Sequence, residues 1–219
     1  EIEVIGAYIE GVREGRRFFE TLRELTPRKP VMIWKGGQTT SGASAASTHT
    51  GSLAGSQVIW DSAIRQAGAI PVNSLDELVD TTAALLQLGE LKGHSGGLMC
   101  MTGGQSVVIA DTFAKCDLQA TTLSQTSYDE LGSFFNVIGG FYKNPLDISW
   151  NSKSGNLLGR ILTILDTDPN VDFVALELFV QMIYDRIDKA QPGDISFLEA
   201  IVNHLKLAQK PFFTMLTPT

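Results

Sequence analysis

The most unusual stretch of this 219-residue chain is Ser47-Thr48-His49-Thr50-Gly51-Ser52-Leu53-Ala54-Gly55-Ser56, a lone histidine among small neighbours. Small side chains let a phosphate or a substrate backbone come close, and hydroxyls and backbone N–H groups can hold its oxygens. The same composition also describes a Ser/Thr/Gly loop with an incidental, solvated histidine. Glu10 ends an apolar run, where parallel α/β folds put site residues. Gly103-Gly104 has the look of a tight strand-to-helix turn, common in α/β folds. Lys35, after another apolar run, could touch phosphate but reads better as a surface lysine. His94 and His204 read as structural or solvated. Glu177, inside the apolar run Phe173 to Phe179, needs a partner or a place at a strand end. Trp60 and Phe113 fit helix core faces.

The elements that would position these residues alternate. Val4 to Ile9 reads as a strand. Phe18, Phe19, Leu22 and Leu25 mark an amphipathic helix, and Pro27 and Pro30 end it before the strand Val31 to Trp34. Residues 38–56 read as a loop. A helix around Ile59 and Ile64 closes at Gly68, a strand follows at 69–72, and Ser74 with Glu77 forms a capping box. Periodicity lapses around residues 89–97. A second series begins with strand 98–101, helix 107–114 and strand 120–123. Helices near 128–135 and 157–165, strand 173–179, helix 197–207 and strand 212–216 complete it. Strands alternating with helices imply parallel sheets. A weak internal repeat relates Ile5–Trp34 to Ala175–Leu216, with Lys29-Pro30 matching Lys210-Pro211. The expected fold is α/β: two flavodoxin-like, doubly wound parallel-sheet domains over 1–90 and 98–219, joined by a linker at 91–97, the first domain incomplete at its N-terminus.

The composition narrows the function. With 24 acidic and 17 basic residues the formal charge is −7, so there is no basic footprint for nucleic acid. No apolar run is long enough for a bilayer, and Cys100 and Cys116 lack metal or redox spacing. A cytoplasmic protein with reduced thiols is the expectation.

The motifs of the first half are Lys29-Pro30-Val31, Lys35-Gly36-Gly37, Ala45-Ala46-Ser47-Thr48-His49-Thr50-Gly51-Ser52-Leu53-Ala54-Gly55, Ala63-Ile64-Arg65-Gln66-Ala67-Gly68 and Ser74-Leu75-Asp76-Glu77-Leu78. Together they resemble the NDP-forming acyl-CoA synthetases, the acetate–CoA ligase family related to succinyl-CoA synthetase. Met101 to Ser106, Asn144-Pro145-Leu146-Asp147 and Asp168-Pro169-Asn170-Val171-Asp172 resemble that family's next domain, the C-terminal domain of the succinyl-CoA synthetase β subunit. Gln105-Ser106 stand where the family has Pro-Gly.

The resemblance implies that His49 is phosphorylated during turnover and that Glu10 accepts a hydrogen bond from its other ring nitrogen. It implies a phosphate cradle at Gly103, Gly104, Gln105 and Ser106. CoA and ATP/ADP with Mg are the implied cofactors, bound by CoA-binding and ATP-grasp domains or subunits outside this piece. An acyl-CoA or carboxylic acid, phosphate and a nucleotide are the implied reactants, in an oligomer, and the fragment alone should be inactive. The alternative is a non-catalytic, ligand-sensing synthetase-like module of a protein acyltransferase.

Overall fold

The computed structural model describes residues 2–50, 56–88, 91–138, 140–149, 154–181 and 194–217, except the side chains of residues 49 and 50. The chain divides into two compact units, Glu1–Glu90 and Leu91–Thr219.

In the first unit, β1 (Ile5–Ile9), β2 (Val31–Lys35) and β3 (Ile70–Val72) form a parallel sheet in that order. Alternation along β2 decides which helices cover each face. Val31 and Ile33 pack with Phe18, Phe19, Leu22 and Leu25 of α1 (Gly15–Leu25) and with Trp60 and Ile64 of α3 (Gln57–Gln66). Met32 points the other way, toward α4 (Leu75–Leu88), whose Thr82 hydroxyl lies 3.7 Å from its sulfur. Gly6 leaves room for Leu78 of α4, whose Cδ1 would stand 3.3 Å from a Cβ there.

Among the described residues the second unit holds five parallel strands: β4 (Ser95–Cys100), β5 (Gln119–Ala120), β6 (Leu146–Asp147), β7 (Phe173–Phe179) and β8 (Phe212–Thr217). The order is β5-β4-β7-β8, and β6 also pairs with β4. Leu98, Cys100, Phe173 and Ala175 meet Ile109 and Phe113 of α5 (Gly103–Lys115) on one face. Met99, Val174, Leu176 and Leu178 meet α6 (Gln125–Phe134), α7 (Gly155–Thr167) and α8 (Phe197–Leu207) on the other, through Leu131, Leu158, Leu162 and Ile201. Both units are therefore doubly wound parallel sheets.

The internal repeat has a structural counterpart. β1 and β2 are adjacent parallel strands flanking α1, and β7 and β8 are adjacent parallel strands with α8 between them in sequence. The carbonyl of Pro30 accepts from Ile5 N at 3.0 Å, and that of Pro211 from Val174 N at 2.9 Å. Proline fits both places because the carbonyl alone is used. Residues 182–193, in the middle of the second copy, lie outside the described part.

Two expectations are corrected. The strand expected at Leu98 begins at Ser95, inside the segment 91–97 expected to be linker. Gly96 and Gly97 are strand residues of necessity: a Cβ on Gly96 would lie 2.7 Å from the Phe173 ring, and one on Gly97 3.3 Å from Leu165 and Val171. The capping box at Ser74 is shifted by one residue. Ser74 Oγ accepts from Glu77 N at 3.0 Å, while Glu77 reaches the amide of Asn73 at 2.7 Å. The full reciprocal box occurs at Ser196 and Glu199, opening α8.

The second unit's motifs hold its sheet together. Asn144 Oδ1 accepts from Leu98 N at 2.8 Å, and its Nδ2 donates to Gly96 O and Thr121 O, both at 2.7 Å. It thereby stands in for strand backbone between the β5 and β6 pairings on β4. Asp168 accepts from the amides of Ser124 and Asn170, and Asp172 from Ser95 N. Phe173 is fully buried and stacked on Phe113 and Phe213. Phe173→Ala should cost about 3–5 kcal/mol in chemical denaturation.

His204 is buried beside Phe212, and its Nε2 has no hydrogen-bond partner among the described residues. Desolvation lowers its pKa below 6.5, against an opposing pull from Asp166. The folded state then takes up this proton less readily than the unfolded chain. Its contribution is complete above about pH 6.5 and is lost as pH falls below that value. Melting followed by circular dichroism should show a midpoint falling between pH 7 and about pH 5.5, and His204→Leu should flatten this limb.

Candidate functional site

The first unit's site is built where β1 and β2 end. Glu10 follows β1, and its Oε1 accepts from the Tyr8 hydroxyl at 3.2 Å. Lys35, the last residue of β2, is only 7% exposed. Its Nζ donates to Glu10 O at 2.7 Å and Gly36 O at 2.6 Å, and lies 5.5 Å from the centre of the Trp60 ring. The sequence suggested a surface lysine. The structure gives instead a buried ammonium that joins two strand ends.

Beyond Lys35 the chain has room only for glycine. A Cβ on Gly36 would lie 2.5 Å from the Tyr8 hydroxyl, and Gly37 turns with φ +71°. A left-handed residue costs glycine nothing extra. The turn leads into α2 (Thr40–Thr50), within the segment expected to be a loop. Thr39 starts this helix: its carbonyl accepts from Ala43 N at 2.7 Å and its hydroxyl from Gly42 N at 3.1 Å. The Ser47 and Thr48 hydroxyls bond back to Ser44 O and Ala45 O, which removes their competition with the helical backbone. Alanines at 43, 45 and 46 supply the helix propensity.

An open cleft of about 610 Å³ lies between α2 and the strand ends, lined by Tyr8, Glu10, Gly37, Ala45, Ala46 and Thr48. His49 is the penultimate residue of α2, one helical turn after Ala45 and Ala46. Its imidazole, with residues 51–55, lies outside the described part. The structure thus puts Glu10 and the helix that carries His49 at one cleft.

In the second unit, Gly103 and Gly104 open α5 behind the N-cap Thr102. Thr102 takes the amide of Gln105 with its hydroxyl (3.2 Å) and that of Ser106 with its carbonyl (3.1 Å). The amides of Gly103 and Gly104 are those the cap does not take. Of the four residues expected to cradle phosphate, Gln105 and Ser106 therefore have their amides committed elsewhere. The Asp147 carboxylate is also close, 3.3 Å from a Cβ position on Gly103.

Glu177 is fully buried. It accepts from Met101 N at 2.9 Å and from the Thr217 hydroxyl at 2.6 Å, tying β7 to the end of β8 and the residue after β4. His94 Nδ1 sits 2.9 Å from Asp117 O. Neither His94 nor His204 joins a site. Among the described residues no cluster of His, Cys, Asp and Glu could hold a metal ion, and no helix is long and apolar enough to cross a membrane.

Doubly wound parallel units with a cleft at the carboxyl ends of the strands place this chain in the flavodoxin-like class. The comparisons are more specific. Residues 1–85 match the model of the succinyl-CoA ligase-like flavodoxin domain. The chain is 37% identical over 174 residues to the ADP-forming acetate–CoA ligase II subunit alpha of Pyrococcus furiosus, covering 80% of this chain and 37% of that protein. The ADP-forming acetate–CoA ligase I of Archaeoglobus fulgidus is 39% identical over 175 residues, covering 78% of this chain and 24% of that protein. A solved acetyl-coenzyme A synthetase 1 of Candidatus Korarchaeum cryptofilum, described as dinucleotide-forming and in complex with phosphate and ADP, aligns with TM-score 0.79 at 28% identity. That alignment covers 98% of this chain and 45% of the other. Residues 1–85 thus carry the succinyl-CoA ligase-like flavodoxin domain, and the chain is similar over most of its length to ADP-forming acetate–CoA ligases while spanning less than half the length of these relatives.

Tyr8 reports on the cleft. Desolvation raises its pKa above 10, and the hydrogen bond and charge of Glu10 add to the shift. Glu10→Gln removes the charge, so the Tyr8 phenol should ionise at lower pH. An ultraviolet titration, with Tyr8→Phe subtracted to isolate it among the four tyrosines, checks this. An unmoved titration would separate Tyr8 from Glu10 in solution.

Proposed function

We propose that this chain is part of an ADP-forming acyl-CoA synthetase and contributes the phosphohistidine and its immediate surroundings. The observation that carries the reading is the cleft at the ends of β1 and β2, where Glu10 and α2, the helix of His49, meet.

The cycle begins with attack of phosphate on the acyl-CoA thioester, giving an acyl phosphate and releasing CoA. A nitrogen of the His49 imidazole then displaces the carboxylate from phosphorus, and a carboxylic acid leaves. The β-phosphate oxygen of ADP takes the phosphoryl group from that nitrogen, giving ATP and restoring the imidazole. Run backward, the same steps make the thioester.

Glu10 holds the charge that develops on the ring by accepting from the other nitrogen. The amides of Gly103 and Gly104, at the positive end of the α5 dipole, meet phosphate oxygens. The helix N-terminus supplies charge stabilisation without a lysine or arginine. Magnesium accompanies the nucleotide, and the CoA-binding and ATP-grasp parts lie outside this chain. The named relatives are ligases, so the ligand-sensing regulatory module is the less favoured reading.

In the full-length enzyme with labelled ATP and magnesium, label should survive alkali, be lost in acid and map to His49. His49→Ala should abolish both label and thioester synthesis, because no neighbouring Ser or Thr can replace an imidazole near neutral pH. Full synthetase activity in His49→Ala would refute the covalent route.

A further inference from the structure

Tyr8 has no part in this cycle, although it lines the same cleft as Glu10. Two positions apart in extended chain, their side chains fall on one face. The Tyr8 hydroxyl donates to Glu10 Oε1 at 3.2 Å. Its pKa is raised chiefly by desolvation, with Glu10 adding to the shift, so the phenol keeps its proton at neutral pH and stays a donor.

The phenol is itself held in place. Tyr8 pairs with Trp34 across the β1–β2 ladder, and the two rings meet edge to face with centroids 4.8 Å apart. It also passes over Gly36, where a Cβ would stand 2.5 Å from the hydroxyl and 2.8 Å from Cζ. The same Cβ would stand 3.1 Å from Glu10 Cγ. Gly36 therefore clears one space for the phenol and the carboxylate arm together. Burial does not account for this fit, because Tyr8 is 53% exposed.

Glu10 is thus held at both ends. Lys35 Nζ fixes its main chain through the carbonyl oxygen, which leaves the bonds of the side chain to rotate. Tyr8 restrains those bonds at the tip. A glutamate that is already restrained gives up less rotamer freedom when it accepts a hydrogen bond from a ring, which is how a site is preorganised.

We propose that Tyr8 is a positioning residue that holds the Glu10 carboxylate in one orientation at the cleft for the ring that takes the phosphoryl group. The assignment deepens the synthetase reading and rests on it for the identity of that ring as the imidazole of His49. Tyr8 acts through Glu10, so its effect should vanish when the carboxylate is removed.

Tyr8→Phe keeps the ring against Trp34 and removes only the hydroxyl, so the variant should fold, which circular dichroism confirms. Rapid-quench labelling of the full-length enzyme with labelled ATP and magnesium measures how fast His49 takes phosphorus. At saturating ATP, Tyr8→Phe should slow labelling by about tenfold, with the half-saturating ATP concentration unchanged. Added to Glu10→Gln, the same substitution should cost less than about twofold more. An unchanged rate in Tyr8→Phe, or the same loss in both backgrounds, would overturn the assignment.

Carbon-13 NMR of the 219-residue chain observes the side chain of Glu10 directly, with Glu10→Gln to assign its signals. Its three-bond couplings should report one rotamer in the parent chain and an average of several in Tyr8→Phe. Averaged couplings in the parent chain would also overturn the assignment. A single rotamer that is lost in Tyr8→Phe, in an enzyme never labelled at His49, would contradict the synthetase reading and leave the hold of Tyr8 on Glu10 standing.

Discussion

Lys35 holds an ammonium, only 7% exposed, between the carbonyl oxygens of Glu10 and Gly36, just past the ends of two neighbouring parallel strands. The last ladder bond there is Gly36 N to Ile9 O at 2.9 Å, and beyond it the sheet has no means of its own to keep the chains together. Charge-assisted bonds of this length are the strong kind, and burial keeps salt from screening them. With the two ends fixed, Gly36 passes against the Tyr8 ring, Gly37 turns, and α2 settles with Gly42 against Gly37. The cleft, the position of Glu10 and the start of the helix of His49 all follow from that contact.

The second unit meets the same mechanical need with the opposite charge. Glu177 spans from the residue after β4 to the end of β8 through one amide and one hydroxyl. Its carboxylate also acts on its neighbourhood. Cys100 is pushed up to about 11, chiefly by burial, with Glu177 and Asp147 adding to the shift and a hydrogen bond to Ser106 opposing it. That thiol stays protonated and inert at neutral pH. A carboxylate beneath a helix N-terminus is a poor neighbour for phosphate. The charge balance at α5 therefore leans on the two glycine amides that Thr102 leaves untaken.

Apolar periodicity made most elements legible. Phe173–Phe179 and Phe197–Leu207 have the observed limits because each is a dense apolar pattern with clear ends. α2 was hidden because its residues are small and polar, so it carries no apolar stripe, and its helical character rests on alanines and on hydroxyls bonded back to the chain. The start of β4 was hidden because Gly96 and Gly97 look like linker until the Phe173 ring is known to occupy the space above them. Lys35 could not be read as buried from its own segment. Its partners, Glu10 O and Trp60, are 25 positions away in each direction. Asn144, Asp168 and Asp172 were visible as motif residues, but only pairing geometry shows that they stand in for backbone.

In the proposed cycle phosphorus passes through a nitrogen of His49, a residue of the helix that borders the Glu10 cleft. Phosphorus NMR of the full-length enzyme mixed with acetyl-CoA and phosphate, without nucleotide, tests it most directly when the histidines carry nitrogen-15. The account predicts a phosphoramidate resonance coupled to nitrogen-15, absent from His49→Asn and discharged by ADP. Acyl phosphate accumulating with no nitrogen-coupled resonance, or such a resonance persisting in His49→Asn, would contradict it.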